Sequence, residues 1–382
     1  MVNKKNITYS FISILIGFIL ALFITETLIR LVAPQDLSGA WSIYSEQGYH
    51  LNKAGGSAQH QFGDRTVCYR FNENHLRGGP INDKGRRVLV VGDSFTFGWL
   101  LDEADTYVSH LQSYADRDFG AKRLQFLNGG VVGWGTAHYL AFIEEFGEVI
   151  SPSIIIVFLN MDDIGRSISS KLYNLNNPTT LAMEKCRIAK TTHMYIKNTL
   201  QYNSCYQWLL EHSHTIQLLR KSYLFFQTRE KEVDDAYPVI PSSPEIKSEP
   251  VFAQTFGRAL FRRLKSWCDA HGVSLMVLTT GNYQPQEALK FEPTMNFMAK
   301  AREIFQKEGI PYHDLSAEVS AIKRGREQEL IIPRDAHPNE AGSEIIAAAA
   351  WKWLAPRLAV LVSNNRLGEG GYANRTPGKS LP

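Results

Sequence analysis

The chain has 382 residues and 44% hydrophobic content, enough for a substantial core in one large domain or two ordinary ones. With 41 Lys+Arg against 38 Asp+Glu the formal charge is +3, so composition makes no case for a nucleic-acid partner. No internal repeat and no long block of like charge points to a repeat array or a charged tail.

The first element is apolar. Ile7 to Thr25 contains no charged residue, and Leu28-Ile29 and Leu31-Val32-Ala33 continue the pattern. About 20 apolar residues in a helix cross a bilayer core. Lys4 and Lys5 precede the run, which favours a cytoplasmic N-terminus with the body outside. Glu26 and Arg30 stand four apart, on one helix face near the far interface. A cleaved secretory signal would also export the body. Its small-x-small site would be poor, however, because Ala33 is followed by Pro34. A buried core helix is a third reading. The expectation is a membrane anchor over residues 1–33.

Residues 34–85, rich in Gly, Asn, Tyr and His, read as an irregular connecting and capping segment. From Arg86 strands and helices alternate. Short apolar runs predict parallel strands at Val88–Val91, Leu124–Leu127, Ile154–Leu159, Val273–Leu278 and Ile310–His313. Helical spacing lies between them at Asp105–Tyr114, Thr136–Phe146, Phe252–Ala270, Thr294–Glu308 and Glu340–Leu354. This alternation implies a three-layer α/β/α sandwich on a parallel sheet of about five strands.

Residues 165–232 break the rhythm with helical periodicity and no convincing strand, and Asp234 to Pro250 holds four prolines. The expected division is an α/β body in two parts, 86–164 and 251–363, separated by a helical insertion with linker over 165–250. The insertion would be a lid over the C-terminal edge of the sheet, where ligands of open α/β sheets bind, or a decoration remote from it. Residues 364–382 read as a flexible tail. Of the cysteines at 68, 186, 205 and 268, Cys186 and Cys205 bracket one segment and could be bridged, or all four could be free and buried.

Four stretches carry chemistry. Gly92-Asp93-Ser94 ends the first body strand and places a hydroxyl at its tip, although Asp93 and Ser94 could merely cap a helix. Asn128-Gly-Gly-Val-Val-Gly133-Trp-Gly135 follows the second strand. Such backbone can offer N–H groups to a developing oxyanion, or be an ordinary tight turn. Asn160-Met-Asp-Asp163 follows the third strand; on an extended chain Asn160 and Asp162 would face one way and Asp163 the other. Asp335-Ala-His337-Pro338-Asn339 precedes the last helix, and is a metal half-site, an N-cap, or a base with its orienting acid. No HExxH or paired-cysteine motif completes a metal site, and no cofactor is implied. A serine nucleophile needs a base, and the base needs an acid to orient it; Ser94, His337 and Asp335 are those three types.

Together these stretches resemble the SGNH (GDSL-like) hydrolase superfamily over about residues 86–163 and 252–355. The resemblance implies a flavodoxin-like sheet, Ser94 as nucleophile, His337 as general base and Asp335 orienting it. It also implies an oxyanion hole from the N–H groups of Ser94 and Gly133. Two departures stand out. Where the family's third block usually reads Gly-x-Asn-Asp, this chain has Asp162 at the Asn position, with Asn160 nearby as an alternative donor. The last block is Asp-x-His rather than Asp-x-x-His, a spacing that resembles the branch acting on bacterial envelope polysaccharides.

The implied function is an esterase, or an O-acetyltransferase, acting on acylated envelope carbohydrate from a bacterial inner-membrane anchor with the body in the periplasm. A transferase would draw on a membrane-bound acyl-donor protein. The alternatives are an envelope binding or assembly protein with an impaired oxyanion hole, and a lipase or thioesterase. Trp41, Trp99 and Trp134 could stack on sugars or simply pack.

Overall fold

The computed structural model describes residues 4–82, 85–160, 162–174, 181–183, 191–230, 250–279, 292–323 and 325–363. Its centre is a five-stranded sheet of β5 (Arg86–Gly92), β6 (Leu124–Gly130), β7 (Ile154–Leu159), β8 (Ser274–Thr279) and β9 (Tyr312–Asp314). The spatial order is β6-β5-β7-β8-β9 and every pairing is parallel. This is the flavodoxin-like order that the family resemblance implied.

Both faces of the sheet are covered, which is why its strands are almost wholly apolar. Alternate residues divide between two cores. Leu89, Val91, Ile155, Val157, Leu275 and Val277 pack under α4 (Thr136–Ile150), α9 (Pro250–Ala270) and α10 (Glu292–Lys307). Val88, Val90, Ile154, Ile156, Met276 and Leu278 pack under α3 (Tyr107–Phe119) and α12 (Glu340–Ser363). Successive side chains of a strand point to opposite faces, so one run feeds both layers.

The chain leaves β5 for β6 on one side, then returns past β5 to β7 on the other. That reversal opens a crevice at the C-terminal end of β5, the place where open α/β sheets bind ligands. Ser94 begins α2 (Ser94–Phe97) there, two residues beyond the end of β5.

Among the described residues, two helices are long and apolar enough to cross a membrane. One is α12, whose inner face belongs to the core. The other is α1 (Lys4–Val32), in which no residue of the stretch Tyr9–Val32 is buried and only Glu26 and Ile29 are partly covered.

The expectation of an irregular segment at 34–85 needs correction. It holds two antiparallel hairpins: β1 (Ser42–Tyr44) with β2 (His50–Asn52), and β3 (Ser57–Phe62) with β4 (Arg65–Arg70). The second turns through Gly63-Asp64, with Gly63 at φ +56°, a conformation that favours glycine. Val67 and Tyr69 of β4 point inward and join Phe71 and Phe97 in a third small core, which Trp41 and Trp99 flank. The hairpin therefore rests directly on α2.

The insertion begins with α5 (Asp163–Ser170) and continues as α6 (Thr192–Tyr202), α7 (Ser204–His212) and α8 (His214–Glu230). The last three are seated on the capping segment. Asn198 exchanges two hydrogen bonds of 2.9 Å with the Tyr44 backbone. Gln207 does the same with Ala40, and Glu211 accepts from Gln59 N at 2.9 Å. Of the suggested Cys186–Cys205 pair, Cys186 lies outside the described residues, as does the tail 364–382; Cys205 is exposed on α7.

Candidate active site

The nucleophile turn is shaped by what glycine leaves out. A Cβ on Gly92 would collide with the Thr96 side chain, and one on Gly130 with the backbone of Thr96 and Phe97. These two glycines let α2 press against the ends of β5 and β6. Asp93 caps α2 by accepting from Phe95 N at 2.9 Å, and Gly98 closes it in the left-handed region at φ +78°. Ser94 is 6% exposed. The capping role of Asp93 and the presentation of Ser94 thus coexist.

A helix of four residues has carbonyls with no partner of its own. Arg77, buried in the capping segment, supplies one from outside. Its guanidinium donates to the carbonyls of Phe97, Gly98 and Leu101, and its backbone N–H donates to Asn128 O at 2.9 Å. Burial lowers its pKa to about 10, still charged at neutral pH. Nothing in the surrounding sequence marked Arg77, because its partners are backbone carbonyls 20 to 24 residues away.

The Asp335–His337 loop reaches Ser94 from the other part of the body. His337 Nε2 lies 2.7 Å from Ser94 Oγ. His337 Nδ1 is hydrogen-bonded to Asp335 Oδ1. An ionised carboxylate only accepts, so Nδ1 carries the proton and Nε2 is left to accept from the serine hydroxyl. The two-residue spacing works because Ala336 sits at φ +54°, with Arg334 at φ +67° just before Asp335. Non-glycine residues adopt this region rarely and at a cost of order 1–3 kcal/mol each. The turn brings carboxylate and ring together and adds a 3.3 Å bond from His337 N to the same oxygen.

The loop is anchored on both sides. Ile332 N donates to His337 O at 2.8 Å. Asn339 accepts from Gly342 N at 3.0 Å, so Asn339, not Asp335, caps the alanine-rich α12. Arg65 of β4 forks onto Glu340.

Asp335 Oδ2 accepts from the indole Nε1 of Trp99 at 3.0 Å. Burial opposes ionisation of Asp335, but the bonds from His337 and Trp99 outweigh it and hold the carboxyl below its ordinary value. Trp99 is therefore engaged on the acid. Trp134 is 1% exposed and donates to His50 O at 2.7 Å, so it has no face for a sugar. Trp41 packs among His60, Tyr69, Phe97 and Trp99.

Gly133, on the loop after β6, lies at φ +80°. Among the described residues neither Gly133 N nor Ser94 N donates to an internal acceptor. Both have a donor available for a ligand.

The third block departs from the extended chain expected of it. β7 stops at Leu159, and Asp162 has helical torsions as the cap of α5. Asn160 Nδ2 donates to Asp93 Oδ2 at 2.9 Å, behind the nucleophile. Arg166, one turn into α5, binds the same oxygen of Asp93 at 2.7 Å and contacts Asp162 at 3.4 Å and Asp163 at 3.5 Å. It also reaches Trp134 O, next to Gly133, at 3.3 Å. One cation thus serves three carboxyls.

Burial and the proximity of Asp93 raise the Asp163 pKa well above its usual value, against the pull of Arg166. Burial raises that of Asp162 too, with Arg166 opposing and Asp93 assisting. Arg166 escaped the sequence reading; its only signal was its place at i+3 and i+4 from two consecutive acids.

Residues 90–345 match the model of the GDSL-like Lipase/Acylhydrolase family, more than half of the 382 residues, and the chain belongs to that family. It is a hydrolase of the acyl-ester class by that membership. No curated protein sequence matches it. Among solved structures it is similar to TesA, at 14% identity over 71% of this chain and 99% of that one, with a TM-score of 0.39. It is also similar to the psychrotrophic esterase EstA from Pseudoalteromonas sp., at 12% identity, 72% and 99% coverage and a TM-score of 0.38. A variant of Axe2, an acetyl xylan esterase from Geobacillus stearothermophilus, gives 14% identity, 70% and 94% coverage and a TM-score of 0.40.

Proposed function

We propose that the chain is a serine-dependent acyl-transfer enzyme that removes or transfers O-acetyl groups on envelope carbohydrate. The observation that carries this reading is the hydrogen-bonded series Ser94–His337–Asp335, built from two loops 243 residues apart in sequence. Ser94 Oγ attacks the ester carbonyl carbon while His337 Nε2 takes the hydroxyl proton. The oxyanion is held by Ser94 N and Gly133 N. The intermediate collapses, the alcohol leaves with the proton from His337, and Ser94 is left acylated. Water or a sugar hydroxyl then attacks the acyl carbon, giving up its proton to His337, and Ser94 is restored.

The third oxyanion position falls to Asp162. Its burial supports a neutral carboxyl, which donates where an ionised one would repel. Asn160 is the weaker candidate, since its amide is committed to Asp93. The largely exposed helix α1, with Lys4 and Lys5 ahead of its apolar run, supports an inner-membrane anchor with the catalytic body in the periplasm. The carbohydrate substrate rests on that location and on the Asp-x-His-Pro-Asn spacing. A second reading, a non-catalytic envelope binding protein, is favoured by Asp162 standing where the family has an amide.

The test is hydrolysis of short p-nitrophenyl esters by the full chain in detergent, beside Ser94→Ala and His337→Ala, with mass spectrometry of Ser94. Each substitution should cost about 10⁴-fold or more. An acyl-Ser94 that turns over only with added sugar identifies a transferase, and a preference for long acyl chains a lipase. A folded wild type with neither acylation nor turnover makes the binding protein the better reading.

A further inference from the structure

The apolar helix is tied into the body it carries. Glu26 of α1 accepts from Ser213 Oγ at 2.7 Å, His214 N at 2.9 Å and Thr215 N at 3.0 Å. It thereby caps the first turn of α8, whose N–H groups have no partner within that helix. One turn further along α1, Arg30 donates to the His212 carbonyl at the end of α7, 3.2 Å away. Gln35 N then donates to His214 Nδ1 at 2.9 Å. The end of α1, the end of α7 and the start of α8 are one hydrogen-bonded knot.

This knot fixes a height. Glu26 lies six residues before the end of α1 at Val32, about 9 Å along the axis. If α1 spans a bilayer, the α7–α8 corner lies at the level of the lipid headgroups. Large apolar side chains stand exposed around that corner: Trp208 at 58%, Leu219 at 60% and Tyr223 at 55%. Trp208 is one turn before His212 and stacks on its ring. Leu219 and Tyr223 are four apart on α8, and Leu219 lies on the opposite side of the helix from Gln217, which holds the Ser38 carbonyl at 2.6 Å. Aromatic and apolar groups at headgroup depth are what a bilayer interface accommodates.

We infer that the α7–α8 corner is a membrane-interface platform, with Trp208, Leu219 and Tyr223 seated in the bilayer surface beside α1. The inference rests on α1 being a retained anchor. Through Asn198, Gln207 and Glu211 the platform grips the capping segment, and through β4 that segment rests on α2. The platform thus holds Ser94 at a set height above the membrane instead of leaving it on a swinging tether.

The test uses the full chain in liposomes of phosphatidylethanolamine and phosphatidylglycerol, with Cys68, Cys186 and Cys205 changed to Ser. Single spin labels go on Leu219→Cys, Tyr223→Cys, Leu15→Cys within α1 and Lys352→Cys on the far exposed face of α12. Relaxation by oxygen and by a water-soluble nickel chelate then reports depth, and circular dichroism checks each variant for folding. Labels at 219 and 223 should read between Leu15 and Lys352, shifted towards oxygen access. If they match Lys352 while Leu15 lies in lipid, the platform is overturned and the anchor stands. Protection from both reagents marks burial against another protein and also overturns it. Water access at Leu15 removes the anchor, and the platform with it.

Discussion

Two regions flank Ser94, and they are held in opposite ways. On one side the Asp335 and His337 side chains bond to each other, to one indole and to Ser94, and the result is a single aligned series of hydrogen bonds. On the other, the carboxyls of Asp93, Asp162 and Asp163 converge on the single guanidinium of Arg166. The first region fixes the direction of a proton. The second sets the electrostatic background in which a negative transition state must form. A protein can afford surplus carboxyls beside an oxyanion only if a cation or bound protons neutralise them.

The largest effect should come from breaking that neutralisation. Among the described residues, Arg166→Leu leaves Asp93 buried without its cation and takes the guanidinium away from Asp162 and Asp163. Removing one partner of a buried ion pair typically costs about 3–5 kcal/mol. Chemical denaturation at neutral pH should show a loss of that size, part of it recovered as the pH falls and the carboxyls take up protons. The sign follows from Asp163: its folded pKa is raised, so its protonated form is favoured by folding and the strain appears as pH rises through that pKa. A loss below about 1 kcal/mol would place Arg166 outside the electrostatic core of the site.

The same contrast governs what could be read from sequence. Val88–Val91 and Ile154–Leu159 were legible as strands because burial on both faces demands unbroken apolar runs, and Gly92-Asp93-Ser94 was legible because strand tip, tight turn and hydroxyl are contiguous. Asp335-Ala-His337 could be read for the same reason. Arg77 and Arg166 could not, since each acts on partners that only folding brings near: carbonyls in and just after α2 for one, the α2 cap Asp93 for the other. The hairpins of 34–85 were missed although Val67 and Tyr69 alternate with polar neighbours and Gly63-Asp64 marks the turn. Their strands are short, and His and Gln on the partner strand blunt the period-two signal. Asn160 and Asp162 were misoriented because an extended continuation was assumed where the chain already turns into α5.

A smaller effect should come from Asp162. If its neutral carboxyl donates to the oxyanion, turnover should fall as the pH rises and Asp162 ionises. Burial raises the Asp162 pKa, so that fall is displaced upward from the ordinary carboxylate range. Asp162→Asn keeps a donor at every pH and should abolish the descending limb, raising kcat above it by about 10-fold or more. A profile unchanged by the substitution would restrict the hole to Ser94 N and Gly133 N and return weight to the binding-protein reading. The pH dependence of kcat for p-nitrophenyl acetate, with both proteins measured at saturating substrate, separates the two.

The smallest effect belongs to Trp99, on the well-aligned side. Trp99→Phe keeps most of the packing against Trp41 and His60 but deletes the 3.0 Å bond to Asp335. Asp335 retains its contacts to His337, so the acid is loosened rather than lost. A hydrogen bond to a charged group is worth about 1.5–3 kcal/mol, and only the part that steadies the imidazole reaches the transition state. The expectation is a fall in kcat of about 3- to 10-fold with KM nearly unchanged. The Asp335 carboxyl should also titrate closer to its ordinary value, because a bond that stabilised its ionised form is gone. Carboxyl titration by NMR on selectively labelled protein would read that upward shift directly. A drop in kcat without it would mean that Trp99 shapes the crevice around Ser94 instead of tuning the acid.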